Sequence, residues 1–353
     1  MQRKKHSIKA IAKELNISVT TVSFVLNGKA EENRISQKLI DKVQAYVKKI
    51  GYRPSQLAKS LRTGKSNIIV FMVEDISNPF FATIAKMIED RAFLDGYKII
   101  YTSTNNDPEK TMGLLSMFRD LQVDGYILTP PVGMDANLIE ELSKDKNPLI
   151  LFDRYIPEVD CSYVVIDNYQ GAKQGLDLFL KNGLKEIGFV TIDSDQSQMH
   201  DRREAYEEMC KAENQKERIL KIPFDTYSSQ QTEEVMEDYF KSNRDLEAVF
   251  FATNYLAMKG MQVLKQLKIK IPDDLSVIAF DDNEFFKFNT PSVTSIVQPK
   301  DEIAQGLIQS MFKLINTEQE ERSATKIVLQ ASLKERESSK KERESSNKNR
   351  SAG

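Results

Sequence analysis

Apolar residues recur every three to four positions from the start of the chain. Ile8, Ile11, Ala12 and Leu15 give one helical stripe, with Ser7 where an N-cap belongs. After Asn16-Ile17-Ser18, a run from Val19 to Leu26 turns Val22, Val25 and Leu26 to one side, with Ser18 as its cap. Two short helices across a three-residue turn form a helix-turn-helix. Asn27-Gly28 then breaks the chain. A third helix is predicted from Gln37 to Ile50, with Leu39, Ile40, Val43, Val47 and Ile50 apolar, Ser36 able to cap it and Gly51 to end it. A fourth, smaller helix follows.

From Ile68 the pattern changes. Apolar runs alternate with longer amphipathic stretches, and the strand candidates are Ile68 to Val73, Lys98 to Ser103, Gly125 to Thr129, Leu149 to Phe152, Tyr163 to Ile166, Ile187 to Ile192, Ala248 to Ala252 and Ser276 to Phe280. The helices between them include Phe81 to Leu94, Lys110 to Leu121, Gln170 to Lys181, Arg203 to Lys211 and Leu256 to Leu267. Such alternation implies parallel sheets with right-handed crossovers, and the number of strands suggests two sheets. The fold class is an N-terminal all-α helix-turn-helix head plus an α/β domain of two open parallel sheets. Near the end, Lys334-Glu335-Arg336-Glu337-Ser338-Ser339 recurs as Lys341 to Ser346 with almost nothing apolar, so a disordered tail is predicted.

Charge sharpens the division. The chain's net charge is only −2, yet residues 1–65 hold 15 lysines and arginines against four acidic residues, Glu14, Glu31, Glu32 and Asp41. The basic piece is suited to a polyanion, because neutralising phosphates releases condensed counterions. The second helix of a helix-turn-helix enters the major groove with its N-terminal residues on base edges, which here means Val19, Thr20, Ser23 and Phe24. Phe24 can pack on a thymine methyl but cannot make the bidentate contact to guanine that arginine makes. Lys29 and Arg34, with Lys5, Lys9 and Lys38, meet phosphates.

No long apolar run and no apolar leader is present, so the expected location is cytoplasmic, with no membrane association. Cys161 and Cys210 match no metal spacing, and neither a metal nor a cofactor is expected. An enzyme is the rival class, but the chain has no Gly-x-Gly-x-x-Gly, Walker or Gly-x-Ser-x-Gly motif, and its only histidines are His6 and His200. No catalytic residue is assigned. A periplasmic-type sugar-binding protein is the other alternative, and it has no use for a basic head.

Ligands of open parallel sheets bind beyond the carboxyl ends of the strands. Asp75, Asn78, Thr104, Asn105, Asp153, Asn254 and Asp281 all follow strand candidates, with Phe80 and Phe224 available as aromatic faces.

Ile8-Lys9-Ala10-Ile11-Ala12 through Thr21-Val22-Ser23-Phe24-Val25-Leu26-Asn27, Gly51-Tyr52-Arg53-Pro54 with Ala58-Lys59-Ser60-Leu61, Asn78-Pro79-Phe80-Phe81, Phe152-Asp153-Arg154, Asp167-Asn168 and Ser276 to Asp282 stand in this order along nearly the whole chain. In this the chain resembles the lac repressor and purine repressor family. The resemblance implies a homodimeric transcription regulator, a repressor, on a pseudo-palindromic double-stranded DNA operator. It implies that the α/β part is a two-lobed effector domain like periplasmic sugar-binding proteins, crossed three times by the chain, with one lobe over residues 66–165 and 297–322. The implied division is a head over 1–54, a hinge helix and linker over 55–65, the effector-binding and dimerisation domain over 66–333, and the tail over 334–353. Ser55 would cap the hinge helix, Ala58 and Lys59 would lie in the minor groove, Leu61 would wedge into the central base step, and Arg62 would sit against the groove or a phosphate. The effector, a sugar or sugar derivative, would meet Asn78, Asp153, Arg202, Asn254 and Asp281 between Phe80 and Phe224. The neighbouring Arg203 leaves open which arginine faces it.

Overall fold

The computed structural model describes residues 7–52, 64–145, 147–224 and 230–339. The chain divides into two compact units, residues 1–66 and 67–353, each treated by itself below.

The first unit holds α1 (Ile8–Leu15), α2 (Val19–Leu26) and α3 (Gln37–Ile50). Ser7 and Ser18 accept hydrogen bonds from the amides of Ala10 and Thr21, which satisfies donors that a helix start leaves open. Asn16 ends α1 and Gly51 ends α3, both with left-handed φ. Ser36 occupies the N-cap position of α3 but makes no side-chain cap bond, contrary to the expectation. Ile11, Ala12, Leu15, Val22, Val25, Ala30, Ile40 and Val43 close the core between the three helices. The expected hinge helix lies outside the described residues.

The second unit contains two six-stranded sheets. The first lobe is built from β1 (Ile68–Val73), α4 (Pro79–Leu94), β2 (Lys98–Ser103), α5 (Pro108–Asp120), β3 (Gly125–Leu128), α6 (Ala136–Ser143), β4 (Leu149–Phe152) and β5 (Ser162–Ile166). The second uses α7 (Asn168–Lys181), β6 (Ile187–Asp193), α8 (Ser197–Ala212), β7 (Ile219–Pro223), α9 (Gln230–Ser242), β8 (Ala248–Phe251), α10 (Asn254–Gln266), β9 (Ser276–Phe280), α11 (Glu284–Phe288) and β10 (Thr294–Val297). The chain then returns to the first lobe for α12 (Lys300–Ile315) and β11 (Lys326–Leu329), and β12 (Ser332–Lys334) rejoins the second. The chain thus crosses three times, and the first lobe spans residues 67–166 and 300–329, its return running past the expected end at 322 to take in β11.

The sheet orders are β2-β1-β3-β4-β5-β11 and β7-β6-β8-β9-β10-β12. The two lobes therefore repeat one plan, all parallel except β12, which runs antiparallel to β10. Central strands such as β1 and β9 are buried on both faces, which accounts for their unbroken apolar runs. Gly260 lets α10 lie on the sheet, because a Cβ there would stand 2.2 Å from the Phe251 ring.

The expected tail begins too early. Arg336 holds Asp282 through both guanidinium nitrogens at 2.9 and 2.8 Å, and Ser338 and Ser339 are fully buried. Ser338 Oγ donates to the Val277 carbonyl and accepts from the Thr294 amide, so the segment is held by specific hydrogen bonds that composition alone does not reveal. Residues 340–353 lie outside the described residues.

Candidate effector cleft and DNA-reading helix

On α2, the residues that hold the helix in the head face inward and leave the others outside. Val19 is 40% exposed and Thr20 is exposed. Ser23 and Phe24 are half-buried, and Phe24 lies outside the head's apolar cluster, whereas Leu26 packs against it. Ser23 Oγ already accepts from the Asn27 side-chain amide. Lys29 and Arg34 are exposed. The hinge candidates Ser55, Ala58, Lys59, Leu61 and Arg62 lie outside the described residues.

In the second unit the carboxyl ends of the strands carry the polar candidates. Asp153 follows β4 and Asp281 follows β9, the same place in the two sheet orders, and their φ angles are 69° and 70°. Left-handed backbone suits aspartate better than most residues, since its short side chain can bond locally. Burial pushes the Asp153 carboxyl up to about 6, helped by the nearby Asp281 and Glu74 carboxylates and opposed by Arg154 and Arg202. Gln298 donates to one oxygen of Asp281, and Arg202 stands 3.7 Å from the other.

Arg202 is only 2% exposed. Its Nε donates to Asn168 at 3.0 Å, one terminal nitrogen donates to the Ala252 carbonyl at 2.7 Å, and its guanidinium lies 3.6 Å from the centre of the Phe280 ring. Arg203 instead pairs with Glu207, so Arg202 is the arginine that turns inward. Asn254 is buried at the first position of α10, behind Thr253, which caps that helix. Phe224 is half-buried after β7 and packs against the apolar core. Asn78 accepts from the Phe80 amide and caps α4. Phe80 is buried and stacked on Phe152 at 6.0 Å, so its ring is built into the lobe's core.

Asp153, Arg202 and Asp281 thus share one electrostatic site. The sequence reading did not single out Glu74, Arg154, Gln196, Gln198 and Gln298. Glu74 directly follows β1 and pairs with Arg154 at 2.8 Å. Gln196 Nε2 reaches Glu74 and Gln198 Nε2 reaches Asp153, each at 3.3 Å, from one lobe to the other. Position after a strand was signal enough for Glu74, Arg154 and Gln298. The two glutamines lie instead at the start of α8, Gln196 at its N-cap and Gln198 in its first turn. His200 is exposed, 3.9 Å from Asp201 and 4.0 Å from Glu204 on α8, so its neighbours here are carboxylates.

The bacterial regulatory proteins, lacI family, match residues 7–55, and a periplasmic binding protein-like domain matches residues 176–339. The HTH-type transcriptional regulator DegA of Bacillus subtilis (strain 168) is 30% identical over 302 residues, covering 84% of this chain and 87% of DegA. The lac repressor dimer bound to operator and the anti-inducer ONPF superposes with a TM-score of 0.80 at 18% identity, over 95% of this chain and 99% of that one. A LacI transcriptional regulator from Alkaliphilus metalliredigens QYMF complexed with D-xylulofuranose superposes with a TM-score of 0.66 at 24% identity, over 77% of this chain and 98% of that one. With the reading helix and the two-lobed cleft in place, the chain belongs to the lacI family of bacterial regulatory proteins and is a DNA-binding transcription regulator.

Proposed function

We propose that the protein is a cytoplasmic, homodimeric repressor whose grip on a pseudo-palindromic operator is set by a sugar or sugar derivative held between the two lobes. The carrying observation is the convergence of Asp153 and Asp281, at the carboxyl ends of strands from the two lobes, on Arg202 of α8. Carboxylates and a guanidinium in this arrangement can accept from and donate to neighbouring hydroxyls. A ligand shifts DNA binding only by its differential affinity for two arrangements of the protein, and a cleft between lobes supplies such a difference. The sugar in the Alkaliphilus relative's structure supports this ligand class. Largely exposed Phe93 and Leu94 on the first lobe and Phe288 on the second favour a second copy as their cover. On α2, Val19, Thr20, Ser23 and Phe24 read the bases, while Lys29 and Arg34 hold phosphates. In the hinge, Leu61 wedges the central base step, between Ser55, Ala58, Lys59 and Arg62.

The test is a thermal-shift screen of monosaccharides, sugar phosphates, nucleosides and purine bases, followed by operator titration with the ligand that stabilises. Asp281→Ala should fold and bind operator yet need roughly ten- to a hundred-fold more ligand to change that binding. An unchanged ligand midpoint would remove Asp281 from the site.

A further inference from the structure

Gln196 and Gln198 are both at least nine-tenths buried and lie at the start of α8, facing the first lobe. Gln196 Nε2 reaches Glu74, Gln198 Nε2 reaches Asp153 and also lies 3.3 Å from Gln196 Oε1, so the two amides form one bridged wall. Gln198 Oε1 in this wall is buried without a hydrogen-bond partner, and so are Nε and Nη1 of Arg154, the residue whose other terminal nitrogen pairs with Glu74. Arg154 is only 4% exposed. Folded proteins seldom leave such groups unmade, because stripping their water without a partner is expensive. One atom lacks a donor and two lack acceptors. Hydroxyl groups can meet either need, since a hydroxyl proton can go to an amide oxygen and its lone pairs can accept from a guanidinium.

The charges narrow the ligand further. Arg154 is committed to Glu74 at 2.8 Å, and Arg202 to Asn168 and the Ala252 carbonyl, with Asp281 at 3.7 Å. Three carboxylates, Glu74, Asp153 and Asp281, face these two guanidiniums. A carboxylate or phosphate on the ligand would enter among like charges, beside cations already neutralised.

Building on the reading of the cleft as the effector site, we propose that Glu74, Gln196 and Gln198 form a specificity wall that selects an uncharged, polyhydroxylated ligand over its carboxylate or phosphate analogue. Isothermal titration of the full chain with matched probes tests this: D-glucose against D-glucuronate, D-galactose against D-galacturonate, D-ribose against D-ribose 5-phosphate, and D-fructose against D-fructose 6-phosphate. In a pair that binds, the neutral member should bind roughly ten-fold or more tightly than its charged analogue at low salt. Glu74→Gln should narrow that ratio, and Gln198→Ala should weaken the neutral sugar by roughly five- to thirty-fold while the circular dichroism spectrum is unchanged. Where Glu74→Gln fails to fold with Arg154 left unpaired, Gln196→Leu keeps the Glu74–Arg154 pair and should weaken the neutral sugar similarly. Tighter binding of a charged member would overturn the selection and leave the cleft reading standing. Ratios and affinities untouched by all three substitutions would overturn the assignment of the wall. No binding by any member of any pair would sink the cleft reading, and the proposal with it.

Discussion

Asp153 carries its consequence in the pH dependence of folding. In the unfolded chain its carboxyl ionises near the ordinary 3.8, whereas the folded protein holds the proton up to about 6, chiefly through burial. Between those values the native state binds more protons than the unfolded one, so this group's contribution to stability falls as pH rises through the window. Relative to Asp153→Asn, the parent should lose roughly 1 to 3 kcal/mol between about pH 4 and pH 7, read by urea unfolding at each pH. A constant difference across that range would mean that the carboxyl ionises as if exposed. Asp153 and Asp281 were legible as polar residues just past apolar runs. Glu74 and Arg154 carry the same positional signal, but their pairing with each other shows only once β1 and β4 are placed either side of β3. The wall made by Gln196 and Gln198 depends on how the lobes face each other, which no local pattern encodes.

At the scale of elements, the helices were read from caps and stripes, and the caps can be tested singly. Ser18 Oγ accepts from the Thr21 amide at 2.9 Å at the start of α2, the helix proposed to read the bases. Ser18→Ala should cost about 1 kcal/mol of head stability and weaken operator binding, while Ser36→Ala, with no cap bond to lose, should cost little. Equal melting shifts for the two variants would reject that distinction. Buried central strands were legible because both faces are covered. The strands that escaped notice are β7, β10, β11 and β12: three lie at sheet edges or in short end pieces with half-exposed positions, and β10 opens on Thr294 and Ser295, which are polar yet fully buried. Thr294 is buried because the C-terminal segment supplies its partners, Ser339 Oγ among them. A sequence window around β10 holds no trace of residues some forty positions later.

For the whole molecule, the expectation of an idle tail divides at Ser339. Removing residues 340–353 should leave thermal unfolding of the second unit essentially unchanged. Removing residues 335–353 strips Asp282 of Arg336 and the second sheet of Ser338, and breaking a buried ion pair from one side costs about 3 kcal/mol or more. Differential scanning calorimetry of the two truncations should separate them clearly, and similar transitions would count against the segment's structural role. Among the described residues no helix is long and apolar enough to cross a membrane. The three chain crossings, at residue 167, at 298–299 and at 330–331, have a mechanical consequence. Two bodies joined by one strand can twist, slide and bend against each other, but three short tethers side by side leave little beyond rotation about the line that joins them. Relative movement of the lobes is thereby channelled into a single coordinate. Because the chain enters this unit through β1, the first lobe is the one to which the preceding unit is directly joined along the chain.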